Sequence, residues 1–296
     1  ATKNGTWEGY NAGMRAGKGS NFDGGHRVPM FIRWPDGKLS GGRDVDQLCA
    51  HIDVLPTLSE LCGLEDGRAE ERDGQSLKTI LYGDQDAMRN RIILVHSQRV
   101  ENVEKYRNYA VLTERWRLLN QNELYDIKAD PGQQSNVFDN HPDIARELST
   151  AYESWWKSLA PSFDMTVRIG IGFKAQPESL LHSHDWHTNN TNTPWHQNHV
   201  TSGAIGNGYW ALDVAESGRY RIELRRWPRQ EDKAMDALKA TIEIGNQSIT
   251  QEIASGDKAV VFEIDLEQGA NDLLTKMELK DGKTRGSYFA YIRPLK

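Results

Sequence analysis

Cysteine is scarce in this chain, long apolar runs are missing, and basic residues are in deficit. Cys49 and Cys62 are the only two cysteines in 296 residues. Neither stands in a C-x-x-C pair, which excludes the common zinc and dithiol spacings. They read as small thiols on or beside a helix, and the sequence leaves open whether they pair. No stretch approaches the roughly 18 consecutive apolar residues of a membrane span. The opening ATKNGTWEGYNAG is polar and Gly-rich, without the apolar core of a signal peptide. Lys and Arg number 36 against 42 Asp and Glu, a formal net charge of −6. With no extended Lys/Arg stripe, this balance argues against a nucleic-acid partner. There is no initiator Met, and the first apolar run comes only at residues 28–34, so the chain reads as a fragment that begins inside a loop.

The local patterns divide the chain in two. Residues 1–27 are Gly-rich and read as a long loop, a feature that in a compact domain is usually functional or disordered. Residues 28–34 (VPMFIRW) predict a short buried strand stopped by the turn Pro35-Asp36-Gly37. Residues 53–62 predict a helix with Pro56 near its start, Leu55, Leu58 and Leu61 as an apolar stripe, and Gly63 as the C-terminal cap. A second strand follows at 92–95, then a hairpin of 106–113 with 115–120. The helix predicted over 142–159 places Ile144, Leu148, Tyr152 and Trp155 on one face. Beyond Ala160-Pro161 come short alternating segments at 166–171, 209–214, 220–225, 240–244, 260–264 and 288–292, separated by turns. That texture predicts an all-β sandwich. The expected domains are therefore 1–160 and 161–296.

Residues 15–29, RAGKGSNFDGGHRVP, carry the strongest chemical signal. Four glycines allow positive φ or close approach of backbone to a ligand. Among them Lys18 offers three donors to an oxyanion. Taken alone, such a loop is as compatible with a solvated turn as with an anion site. It does not match the GxxxxGK[ST] phosphate loop, because Gly19 follows Lys18 and no helix comes next.

This segment resembles the sulfatase pattern in which Lys-Gly precedes Glu/Asp-Gly-Gly-x-Arg-x-Pro and a strand ending in Trp-Pro. Further marks follow in order. Asp53-Val54-Leu55-Pro56-Thr57 resembles the family's D-h-x-P-T helix start, and Asp73-Gly74-Gln75-Ser76-Leu77 its DG-x-S-L segment. Glu123-Leu124-Tyr125-Asp126 with Asp130-Pro131-Gly132 and Asn136 resembles its ELYD…DP-x-E-x-x-N element, although Gln133 and Gln134 stand where the family often has Glu. The resemblance implies an α/β fold: the C-terminal part of a sulfatase α/β domain with its small antiparallel-sheet subdomain, followed here by the all-β, jelly-roll-like sandwich. The implied activity is hydrolysis of sulfate esters of a sulfated carbohydrate or an aryl sulfate.

The same resemblance assigns Lys18 to the substrate's sulfate, as catalytic and substrate-binding residue. His26, at a variable position of the pattern, is either a second donor or structural. Arg27 and Asp53 read as structural, and Asp23 either orients Lys18 or caps the loop. The formylglycine nucleophile, made in a C/S-x-P-x-R motif, fits neither cysteine. The Ca²⁺ ligands of the family include an Asp-Asn pair whose spacing places it before Ala1, so no metal ligand is expected in this chain. The implied partner is the missing N-terminal part of the same protein, and the chain alone is expected to be inactive. Phosphate or phosphonate hydrolysis in the same superfamily is the related alternative. Periplasmic or secreted placement is suggested by the resemblance only.

In the β domain, residues 183–198 are dense in His, Trp, Asn and Thr and read as a long loop. Three readings stand: a transition-metal site, carbohydrate contact through Trp186 and Trp195, or packing against the first domain. Carbohydrate contact without catalysis is the alternative function of a different class. Residues 218–228 resemble accessory β-sandwich domains of some bacterial sulfatases, with Tyr220, Ile222 and Leu224 inward and arginines outward.

Overall fold

The computed structural model describes residues 10–65, 67–84, 87–88, 90–98, 100–188 and 193–295. Two compact units result: Ala1–Arg99 with Val103–Phe163, and Val100–Asn102 with Asp164–Lys296. Among the described residues no helix is long and apolar enough to cross a membrane.

The first unit is built on an antiparallel four-stranded meander of β1 (Ile93–His96), β2 (Tyr109–Leu112), β3 (Trp116–Leu119) and β4 (Glu123–Asp126). Side chains alternate across a strand, and here both faces are covered. Tyr109, Val111, Leu118 and Leu124 pack on Leu148 and Tyr152 of a helix over Pro142–Leu159. The opposite face, with Ile93, Leu112, Leu119 and Tyr125, packs on Phe22, Leu48 and Ala50. The glycine loop is thus fastened to the back of the sheet by Phe22. Three shorter helices precede the sheet: α1 (Asp23–His26), α2 (Val54–Cys62) and α3 (Lys78–Leu81), which makes the helix over 142–159 α4.

Two expectations for this unit need correction. Residues 28–34 form no strand; their one ladder contact is the bridge Trp34–Leu39 across the Pro35-Asp36-Gly37 turn. A strand needs a neighbour for its N–H and C=O groups, and among the described residues only Leu39 forms a ladder pair with this run. Val28 and Phe31 are 78% and 91% exposed. The leucine stripe of α2 is likewise open, with Leu55 and Leu58 about half exposed. The helix start and its end do follow the sequence, since Gly63 closes α2 in the left-handed conformation at φ 63°.

The interior of α2's N-terminus is polar. Asp53 is fully buried and takes both guanidinium nitrogens of Arg91 at 2.7 and 2.6 Å. It also accepts the backbone N–H groups of Ala50 and Gln75. Thr57 accepts the N–H of Leu77. The D-h-x-P-T and DG-x-S-L segments are therefore one structural device: the second docks its backbone on the Asp and Thr of the first. Gly74 is required there, because a Cβ would lie 2.0 Å from the carbonyl oxygen of Ile52.

The second unit is a sandwich. One sheet runs β10–β9–β12–β7–β5 with β13 beside β12, and the other runs β11–β8–β14–β6. The strands are β5 (Ile169–Ile171), β6 (Ser179–His182), β7 (Tyr209–Val214), β8 (Gly218–Arg225), β9 (Ala237–Ile244), β10 (Gln247–Glu252), β11 (Val260–Leu266), β12 (Gly269–Leu279), β13 (Thr284–Arg285) and β14 (Phe289–Pro294). A short helix, α5 (Gln197–Ser202), interrupts the β pattern. All pairings are antiparallel except β5 with β7. Leu212, Ile242, Leu273 and Met277 of the first sheet meet Tyr220, Ile222, Leu224, Phe262 and Ile292 of the second in one core. Tyr220, Ile222 and Leu224 face inward, as the alternation requires.

Asp53 yields a stability prediction. Burial opposes its ionisation, but hydrogen bonds from Arg91, Ala50 and Gln75 outweigh burial and hold the carboxyl below the usual carboxylate range. A depressed folded pKa stabilises above the unfolded value of roughly 4 and is lost as pH falls through the folded value. Asp53→Ala leaves Arg91 buried and unpaired, a loss of about 3–5 kcal/mol. Urea titration of the first unit should show this loss at pH 7 and a smaller difference between the two proteins at pH 3; a constant difference would contradict the assignment.

Candidate functional site

The glycine loop folds back on itself. Gly24 donates its N–H to the carbonyl of Arg15 at 3.1 Å, and Ser20 donates to Gly17 at 3.1 Å. The return strand of the loop lies so close to the outgoing one that side chains are forbidden. A Cβ on Gly24 would lie 2.4 Å from the oxygen of Arg15, and one on Gly25 would lie 2.1 Å from that of Ser20. Gly19 sits at φ +91°, with open space around it. The paired glycines close the loop's base, and Lys18 lies between the two sides at an exposed position.

Charged and polar anchors hold this loop to the sheet. Asp23, 1% exposed, receives Nε of Arg117 at 2.9 Å, while its backbone N–H donates to Oε1 of Gln133 at 2.8 Å. Arg117 also donates to the carbonyls of Thr113 and Trp116. Burial pushes the Arg117 pKa down and the Asp23 carboxylate opposes it. Arg15 donates to the carbonyl of Gln133 and to the hydroxyl of Tyr125, and its guanidinium lies 4.1 Å from the centre of the Phe22 ring. Asn21 reaches the carbonyl of Tyr109 and the side chain of Asn120. Of the two alternatives for Asp23, the structure realises the anchor: its carboxylate is engaged by Arg117, with Arg27 at 3.8 Å and His26 at 3.9 Å.

Lys18, in contrast, has no hydrogen-bond or ion-pair partner among the described residues. His26 is half-buried, and its Nε2 is a buried nitrogen without a hydrogen bond. Burial lowers its pKa below the ordinary histidine value, outweighing the neighbouring Asp23. The loop thus combines an unpaired cation at its tip with a buried imidazole nitrogen near its base that makes no hydrogen bond.

The residues that shape this loop were only partly readable. Arg117 stands between Trp116 and Leu118 in a strand whose alternation turns it toward the loop-bearing face; a buried arginine at such a position requires an acid. Gln133 gave no signal. It occupies a left-handed turn position at φ 51° after Asp130-Pro131-Gly132, and it is fully buried. The ELYD element supports that turn: Asn136 accepts the N–H groups of Leu124 and Phe138, and Asp130 accepts those of Gln134 and Ser135.

In the second unit the two tryptophans separate. Trp186 is a core residue, 4% exposed, edge-on to Trp210 at 5.8 Å and tilted against Tyr288. Gly208 and Gly286 make room for it, since a Cβ at either would come within 2.7 Å of its side chain. Sugar stacking by Trp186 is thereby corrected: its ring has no open face. Trp195 is 59% exposed and stands edge-on to His196 and His199. Two histidines of this region are engaged, whereas the buried Nδ1 of His199 makes no hydrogen bond. His187 contacts Glu101 of the same unit at 2.6 Å and stacks on Tyr209, and His196 Nδ1 accepts the N–H of Asn198. Among the described residues no group of three or more His, Cys, Asp or Glu side chains is arranged to hold a metal ion.

The family described as N-sulphoglucosamine sulphohydrolase, C-terminal, matches residues 18–155, beginning at the loop lysine itself. Mouse steryl-sulfatase is 43% identical over 76 residues, covering 26% of this chain and 12% of that protein. An N-acetylgalactosamine-6-O-sulfatase of Bacteroides thetaiotaomicron is 26% identical over 159 residues, 47% of this chain and 29% of that protein. The chain thus spans less than a third of either relative. Among solved structures, Ps i-CgsB aligns at 23% identity and a TM-score of 0.42, over 48% of this chain and 31% of that one, a likeness too slight to argue from. The ordered marks from the loop through Asn136 and these sequence matches coincide: residues 18–155 are similar to a sulfatase C-terminal region.

Proposed function

We propose that this chain supplies the sulfate-contacting loop of a sulfuric ester hydrolase, and that Lys18 is the residue that touches the transferred group. The observation that carries this reading is the unpaired Lys18 ammonium at the tip of a loop whose base is fixed by buried contacts. A cation carried on a loop whose base is already held loses less by reorganisation when charge develops on the sulfuryl and leaving oxygens, which is the usual source of barrier lowering in such transfers. His26 is half-buried with its Nε2 closed to solvent beside Asp23, and of its two readings we assign the structural one.

A sulfated carbohydrate or aryl sulfate is the substrate class we assign, and the name of the Bacteroides relative supports the first. Calcium and formylglycine are the groups that the family resemblance implies. The described residues do not fit either: Asp23 and Asp53 are committed to Arg117 and Arg91, and neither cysteine has the C/S-x-P-x-R setting. We assign both to sequence outside these 296 residues, so the chain alone would not turn over. The exposed apolar side chains of residues 28–34 and of α2 are the surface we assign to that remaining part of the domain. An extended apolar surface of this kind marks an interface rather than a free face. Secretion or periplasmic placement fits polysaccharide substrates that lie outside the cell.

Trp195 favours a second reading, a non-catalytic carbohydrate-binding protein, because a large exposed ring is suited to stack on a sugar. A phosphate or phosphonate ester would also suit the loop lysine, and a panel of matched sulfate and phosphate esters separates those classes.

In a polypeptide carrying the complete catalytic machinery, Lys18→Ala should lower kcat/KM at least tenfold, against an upper scale of about 3–4 kcal/mol for losing one such donor. An unchanged rate would remove Lys18 from the reaction. Gly25→Ala leaves the charge in place but forces the loop open, and it should reduce turnover with the far-ultraviolet circular dichroism unaltered. Under the second reading the pattern inverts: Trp195→Ala weakens glycan binding and Lys18→Ala has no effect. Trp186→Ala is expected to act through the core instead, destabilising the sandwich by about 3–5 kcal/mol in a urea titration.

A further inference from the structure

The outer face of the β11–β8–β14–β6 sheet carries an arrangement that folding alone does not favour. Arg221 of β8 lies directly opposite Arg293 of β14 in the antiparallel register. Like charges at such a pair are destabilising, because the side chains leave the same face about 5 Å apart. Carboxylates offset the conflict only in part: Glu263 of β11 lies opposite Arg221 on its other side. Glu223 receives Arg221 at 2.8 Å, Arg225 at 3.0 Å and Arg229 at 2.9 Å. Glu178 binds Arg229 through both of its oxygens at 2.6 and 3.0 Å. Arg221, Arg225, Arg229 and Arg293 against Glu178, Glu223 and Glu263 leave this cluster at +1, within a chain whose net charge is −6. Arg293 is exposed and has no acidic partner among the described residues.

Arg221, Arg229, Arg293, Glu178 and Glu223 line an open groove of about 930 Å³ walled by Pro177, Pro294 and Leu295. Its chemistry restricts the occupant. The Tyr291 ring, the aromatic nearest the cluster, is covered by the guanidinium of Arg229 at 3.9 Å, so it presents no bare face to a sugar. Recognition here must come through charge. Guanidinium forks match the oxygens of sulfate, phosphate or carboxylate in paired hydrogen bonds. Glu223, buried and holding three arginines, fixes the forks in place before any ligand arrives.

We propose that this groove is a binding site for a sulfated polysaccharide, with a sulfate ester seated between Arg221 and Arg293. The choice of sulfate ester over other oxyanions rests on the sulfatase reading above. All residues of the groove belong to the second unit. It holds the polymer and takes no part in bond cleavage. Because the contact is electrostatic and open to solvent, binding weakens steeply with added salt.

The test is equilibrium binding of the whole chain to a sulfated galactan, its chemically desulfated counterpart, and polygalacturonate of matched length. Arg293 is exposed and unpaired, so Arg293→Ala should keep the melting temperature of the wild type. The proposal expects the sulfated galactan to bind at least tenfold more tightly than the other two polymers. It further expects a fivefold or greater loss in Arg293→Ala, a shallower salt dependence in that variant, and partial recovery in Arg293→Lys. Equal binding of the desulfated polymer or of polygalacturonate overturns it, as does an unchanged Kd in Arg293→Ala. Loss in Lys18→Ala but not in Arg293→Ala also overturns it while leaving the sulfatase reading intact. Retention of the Arg293 effect by a complete polypeptide that hydrolyses no sulfate ester supports the groove and removes the sulfatase reading instead.

Discussion

The buried ion pair between Asp23 and Arg117 is the interaction on which the candidate site depends. Both side chains are nearly inaccessible, at 2% and 6% exposure. Removing two charges from water is costly, and the attraction offsets that cost only when geometry and extra hydrogen bonds are good. Here they are: Arg117 is shared with two main-chain carbonyls, and the Asp23 backbone is held by Gln133. Opening the loop would strand an unpaired guanidinium against the sheet. The loop is consequently defined without a ligand, and its one uncommitted cation is Lys18.

The sequence marks that are distant along the chain are adjacent for physical reasons. The DVLPT and DGQSL segments meet because Asp53 and Thr57 satisfy the backbone of residues 75–77. The ELYD element and Asn136 shape the turn that delivers Gln133 to the loop. Each mark is thus a set of polar side chains serving buried main-chain groups, for which few substitutes exist.

Much of this was legible beforehand where a pattern closes on itself. Helix α4 begins and ends at the residues predicted, because Pro142 opens it and its apolar face has a local sheet to cover. The hairpin of β2 and β3 and the left-handed cap at Gly63 are equally local. Apolar residues 28–34 misled because the same composition serves a buried strand and a surface awaiting a partner. The long strand β12 was missed although Leu273, Thr275 and Met277 alternate inward, since Gly269 and the polar residues after it mask its start. At the site, the glycines and Lys18 were readable from the loop's composition. Gln133 was not, because its role arises from a turn brought in more than a hundred residues away. Trp186 failed for a similar reason: a tryptophan in a polar loop looks exposed until Gly208 and Gly286 are seen to leave it a core cavity.

The central claim is that the Lys18 loop is held ready by Asp23 and Arg117, and amide hydrogen exchange in Asp23→Asn tests it most directly. The substitution keeps the side chain's shape and the backbone bond to Gln133 but removes the charge. The account predicts that the amides of Gly24, Gly25 and Arg27 exchange at least tenfold faster than in the wild type. Those of β2 and β3 should keep their protection. Unchanged protection of the three loop amides would show that the ion pair does not hold the loop and would contradict the account.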